Sequence, residues 1–123
     1  MNTTNYDIVI LGGGCAGMQL MYQFIHHAQY KGESILILDP NKTYLQSKSW
    51  CFWHTNDTHP YQTIFNTTWN NLSIGFLNET LENAIHPYRY SFIKSESFFD
   101  SHFDEIKHNP SVVYSNDAVL SFE

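Results

Sequence analysis

The chain has 123 residues, 42% of them hydrophobic and 16% aromatic, and its 12 acidic against 6 Lys or Arg side chains leave a net charge of −6. That length suffices for one core-forming domain, and the acidic balance excludes a nucleic-acid partner, which needs a basic face. No apolar run approaches the ~18 residues of a membrane span and no basic segment leads into one, so the sequence predicts a cytoplasmic protein with neither span nor secretory leader.

The first element is a strand over Tyr6–Leu11, whose core Ile8-Val9-Ile10-Leu11 is continuously apolar and β-branched, as a strand covered on both faces should be. It runs straight into Gly12-Gly13-Gly14-Cys15-Ala16-Gly17, a G-x-G-x-x-G turn. In that pattern Gly12 permits the tight turn, Gly14 lets main chain approach a pyrophosphate, and Gly17 lets the following helix pack on the strand. A helix is predicted from Ala16 to about Tyr30, with Met18, Leu20, Met21, Phe24, Ile25 and Ala28 as its apolar stripe and Gly32 as its stop. Its first amides and positive dipole end would face phosphates.

A second apolar strand, Ser34–Leu38, ends in Asp39, which follows Gly17 by 22 residues. An acid at that spacing is placed to accept hydrogen bonds from a ribose hydroxyl. Strand, glycine turn, helix, strand and acid together predict a dinucleotide site within a βαβ core at residues 6–39. A nicotinamide dehydrogenase shares this fingerprint, but its βαβ units normally follow one another closely. Here Asp39-Pro40 opens instead onto a polar turn and then the cluster Trp50-Cys51-Phe52-Trp53.

Further along, Trp69, Leu72, Ile74 and Phe76 predict a short strand with alternating burial. Tyr88–Ile93 also alternates, with Tyr88, Tyr90 and Phe92 on one face and Arg89, Ser91 and Ile93 on the other. Ser95 or Ser97 can cap a helix that carries Phe98, Phe99, Phe103 and Ile106 at helical spacing and runs to about His108, with Pro110 beyond it. Val112-Val113-Tyr114 reads as a return strand and Ala118-Val119-Leu120 as the start of another. The domain plan is a βαβ core, an inserted segment over about 50–93, and a helix with return strand over 95–122. Cys15 and Cys51 are too few and too far apart for a metal or redox motif, and the seven histidines lack ligand spacing, so no metal is expected.

Read together, these segments resemble the lycopene cyclase family of flavoproteins over nearly the whole chain. Tyr6–Gly17 is similar to its opening motif. Lys48-Ser49-Trp50-Cys51-Phe52-Trp53 is similar to its Asp-Arg-Thr-Trp-Cys-Phe-Trp segment, with Ser47 and Lys48 where the family has Asp and Arg. Pro87-Tyr88-Arg89-Tyr90 is similar to its Pro-Tyr-x-Tyr segment, followed by Lys94-Ser95 where the family has Arg-Gly. Phe76-Leu77-Asn78-Glu79-Thr80 is close to the family's Phe-Leu-Glu-Glu-Thr motif but comes too early in the order, and is read as coincidence.

The resemblance implies an α/β fold: an FAD/NAD(P)-binding Rossmann-like parallel sheet with helices, plus inserted strands of an incomplete substrate-domain sheet. It implies FAD held by Gly12, Gly13, Gly14, Cys15, Ala16, Gly17, Asp39, Lys48 and Val119, with NAD(P)H as reductant. It implies cyclisation of the linear ends of lycopene, or a related carotenoid, to β-ionone rings without net redox change, and peripheral contact with the cytoplasmic membrane surface where such substrates dissolve. Trp50, Phe52, Trp53, Tyr88 and Tyr90 are its candidates for lining the substrate cavity or contacting flavin. Family members are much longer, so the chain is expected to be an N-terminal portion that lacks the catalytic acid. An FAD-dependent monooxygenase and a non-catalytic dinucleotide-binding module are the alternatives.

Overall fold

Short β-branched runs separated by amphipathic segments fold, in the computed structural model, into a mixed α/β structure described for residues 4–41, 48–55 and 58–121. In chain order the elements are β1 (Ile8–Leu11), α1 (Cys15–His26), β2 (Ile35–Leu38), β3 (Ser49–His54), β4 (Thr67–Trp69), β5 (Asn71–Phe76), β6 (Glu79–Ala84), β7 (Arg89–Lys94), α2 (Ser95–His108) and β8 (Val112–Ser115). They form two units, Met1–Tyr44 with Asp100–Glu123, and Leu45–Phe99. Among the described residues no helix is long and apolar enough to cross a membrane.

The first unit holds a parallel sheet in the order β1-β2-β8, in which Ile8 is opposite Ile35 and Ile35 opposite Val112. Ile10, Ile35, Ile37 and Val112 are buried on it, with Met18 and Met21 of α1. Each such side chain contributes roughly 1.5–3 kcal/mol on burial. The expectation that the first strand is covered on both faces is corrected: Val9 and Leu11 are about half exposed, so only one face of β1 is sealed. Asp7 ties the starts of β1 and β2 together, its carboxylate accepting from the Ser34 N–H (2.8 Å) and hydroxyl. Those hydrogen bonds hold the Asp7 carboxyl below its ordinary range.

Helix α1 stops at His26, short of the expected Tyr30, because His27 is extended (φ −92°, ψ 125°) and Ala28–Tyr30 tightens into a 3-10 turn. Gly32, at φ +95°, then redirects the chain into β2. Leu20 leaves the predicted stripe and faces solvent, while Met18 and Met21 carry the contact. The expected strand at Ala118–Leu120 does not form; this stretch is irregular and Leu120 is 96% exposed. Side-chain bonds turn the chain there: Ser115 donates to Asp117, and the Asn116 amide reaches back to the Asn41 carbonyl (2.8 Å) and the Asp39 carbonyl (3.3 Å).

The second unit holds an antiparallel sheet in the order β3-β7-β4 and a separate hairpin, β5-β6. One face of the sheet is packed. Trp50 meets Phe98 (5.0 Å between ring centroids) and Phe99 (5.7 Å), and Phe52 meets His59 (5.1 Å) and Phe65 (5.5 Å). Buried Ser91 joins the three strands on this face, bonding to His54 Nε2 (2.9 Å) and Thr68 Oγ1 (2.7 Å). Burial and the neighbouring His54 push the His59 imidazole below its ordinary value.

The single alternately buried strand expected over Trp69–Phe76 is corrected. The segment splits into β4 and β5, and β5 pairs with β6 through a two-residue turn, so every residue of the hairpin is exposed. Its alternation marks one apolar face, Leu72, Ile74, Phe76 and Leu81, on which Ile74, Phe76 and Leu81 are more than half exposed. The Phe76–Thr80 stretch resembling a family motif is this hairpin's turn, with Leu77 at φ +54°.

Candidate functional site

The glycines of the turn differ in what an added side chain would meet. Gly12 leaves β1 at φ +99°, which side-chain-bearing residues rarely adopt, while its N–H still donates to the Leu38 carbonyl at 2.8 Å. Gly17, in the first turn of α1, lies so close beneath the turn that an added Cβ would fall 1.9 Å from the Gly12 carbonyl oxygen and 3.3 Å from Ile10 Cγ2. Gly14 is extended (φ −74°, ψ −168°), and a Cβ there would meet nothing within 4 Å. The space beside Gly14 is open to a ligand, and its carbonyl accepts the opening helical bond from Met18 N–H at 3.0 Å.

Gly13 is buried and faces inward. A Cβ on it would lie 2.6 Å from the Tyr114 hydroxyl, and its N–H donates to Asp39 Oδ2 at 2.7 Å. Asp39 Oδ1 accepts from the Asn41 N–H and side-chain amide, both at 2.8 Å. A carboxylate offers about four lone-pair positions, so most of this acceptor capacity is used in holding the turn. The Tyr114 hydroxyl is pushed up to about 12 by burial and by the Asp39 charge, and so stays neutral.

The helix beginning at Cys15 has no side-chain cap at Gly14 and no acid in its first turn. Its leading amides and positive dipole end therefore suit an anionic oxygen. Cys15 accepts from the Gln19 side-chain amide (3.1 Å), and burial pushes its thiol up, so it is not a reactive thiolate. Ala16 is exposed in the same turn.

Of the residues singled out from sequence, the structure thus groups Gly12 to Gly17 with Asp39. Val119 lies past β8 in irregular chain. Lys48 belongs to the other unit, where its carbonyl accepts from the Ser95 N–H (3.1 Å); Ser47 lies outside the described residues. The aromatic candidates divide: Trp50 and Phe52 are packing residues, whereas Trp53 and Tyr88 are about half exposed. Sequence reasoning missed Tyr114 under Gly13 and Asn41 and Asn116 around Asp39. Asp39-Pro40-Asn41 carried a signal for the latter, since Asx side chains bond main chain two residues on.

A family model described as lycopene cyclase protein matches residues 7–119. The chain belongs to the lycopene cyclase family. Membership supports a lycopene cyclase-like role in carotenoid biosynthesis and implies a carotenoid substrate. No curated protein and no solved structure matches the chain. In this lycopene cyclase family member the glycine turn forms the junction of β1 and α1, and the Trp-Cys-Phe-Trp segment is the body of β3.

Proposed function

We propose that the chain is the flavin-binding part of a lycopene cyclase-like flavoprotein, with the adenosine diphosphate end of FAD lying across Gly12–Gly17. The observation that carries this reading is the open space at Gly14 beside an uncapped helix N-terminus. The fit is physical: main chain can approach pyrophosphate there without a Cβ in the way, and the first amides of α1 supply donors and dipole. Asp39 braces Gly13 and keeps about one acceptor position for a ribose hydroxyl. The parallel order β8-β2-β1 is the order of the first three strands of a Rossmann-type nucleotide-binding half, which supports the same reading.

In this proposal the βαβ core occupies residues 6–39, the segment 50–93 is a substrate-side insertion, and 95–122 returns the chain to the parallel sheet. Lys48 and Val119 stay in the cofactor set on family resemblance alone. Bound and kept reduced by NAD(P)H, the flavin supplies an electron-rich surface that stabilises positive charge developing on the substrate. The overall reaction converts linear lycopene ends to β-ionone rings with no net redox change. In this reading the protein works in the cytoplasm and touches the membrane surface where carotenoids dissolve.

The test is Gly14→Ala. The added methyl meets no protein atom, so the melting temperature should hold while the half-saturation for FAD, read by flavin fluorescence, rises about tenfold or more. Unchanged FAD binding would refute the site. Carotenoid profiles from a lycopene-accumulating host expressing the full open reading frame separate cyclised from hydroxylated products.

A further inference from the structure

Trp53, Tyr90 and Trp69 occupy one register row across β3, β7 and β4, with Trp53 opposite Tyr90 and Tyr90 opposite Trp69. Side chains alternate along strands, so this row lies on the sheet face opposite Trp50, Phe52, Ser91 and Thr68. Ring centroids are 4.8 Å apart for Trp53–Tyr90 and 6.0 Å for Tyr90–Trp69. Trp53 is 51% and Trp69 44% exposed, although the other face of the same sheet is packed.

Beside the row runs a groove of about 220 Å³ lined by Trp69, Tyr90, Leu72, Ile85, Asn71 and Ser73. No lining side chain is charged. Tyr90 shares a hydrogen bond with the Cys51 side chain, which raises its hydroxyl above the ordinary tyrosine value and keeps it neutral. Two half-exposed indoles flanking a partly buried Tyr90 are a cost in water that folding alone does not explain.

We propose that the Trp53–Tyr90–Trp69 row and its adjoining groove receive the extended, uncharged polyene chain of the carotenoid substrate. This rests on the cyclase-like reading above, which makes the substrate a linear conjugated hydrocarbon. Such a molecule has no group to satisfy a charge or a hydrogen-bond donor; it needs apolar area and ring faces against which a flat π-system can stack. The row supplies those faces over the width of three strands, roughly 10 Å. Their negative ring density also suits a chain on which positive charge develops. An anionic ligand finds no cation in the groove lining, and the row leaves it only aromatic faces.

The experiment is titration of the full chain with lycopene in neutral detergent micelles, followed by induced circular dichroism in the polyene bands. Lycopene is achiral, so signal arises only from bound polyene, and removing indoles does not remove the reporter. Trp53→Leu with Trp69→Leu should raise half-saturation about tenfold, each single variant about threefold, and Trp69→Phe should restore near-native binding. FAD retention should not change in any of them. The single variants each trim one half-exposed ring and keep the test readable if the double variant does not fold. Unchanged half-saturation in folded variants overturns the row while leaving the cyclase reading intact. Absence of induced signal in the wild-type protein, with FAD bound, overturns both.

Discussion

The glycine turn and the aromatic face of the three-stranded sheet expose opposite materials. At the turn the working surface is main chain, and side chains are excluded by contacts as close as the 1.9 Å between a hypothetical Gly17 Cβ and the Gly12 carbonyl. On the sheet the main chain is ordinary antiparallel ladder, and everything distinctive lies in which rings face inward and which outward. Backbone sites are therefore fragile to the smallest added atom and tolerant only where space is open. Side-chain sites tolerate exchange on the outer face and fail on the inner one.

The sharpest way to break that contrast is Gly17→Ala against Gly14→Ala. The first forces main chain apart and should cost about 3 kcal/mol, lowering the urea midpoint of unfolding; the second should stay within ~0.5 kcal/mol. Equal midpoints would show that the turn is not held by this contact. Next comes the inner against the outer ring. Trp50→Ala empties the contact with Phe98 and Phe99 and should cost on the order of 3 kcal/mol, whereas Trp53→Ala should cost about 1 kcal/mol or less. Comparable losses would mean that Trp53 is core.

The smallest effect is one of pH. The Tyr114 hydroxyl is raised from 10.0 to about 12, so the fold favours the neutral phenol. That contribution is complete below pH 10 and is lost as pH rises from 10 towards 12. Urea midpoints between pH 9 and 11.5 should therefore fall more steeply in the wild-type protein than in Tyr114→Phe. Parallel curves would exclude Tyr114 as the alkaline-sensitive group beneath the turn.

The turn was legible in the sequence because glycine spacing there answers to geometry that no other residue meets, and the flanking apolar runs are local. Helix α2 and β8 were legible for the same reason: Ser95, the Phe98 to Ile106 spacing and Pro110 are near neighbours in sequence. Burial on both faces of β1 was misjudged because continuous apolar character states what a strand tolerates, not what covers it. The strand at Ala118–Leu120 was misjudged because Ser115, Asp117 and Asn116 offered the chain other hydrogen bonds. Trp69 was placed in a strand without its significance, since its neighbours Tyr90 and Trp53 come from distant segments.

Residue order alone determined the β1–turn–α1–β2 path, the acid at its end and the family, because each depends on contacts or motifs confined to short stretches of chain. Tertiary structure alone decided that Asp39 braces Gly13, that Tyr114 lies beneath it, and that the sheet face carrying Trp50 is packed while the face carrying Trp53 stays open. Those outcomes hang on register between strands remote in sequence, and a shift of one residue in pairing would have exchanged the two sheet faces.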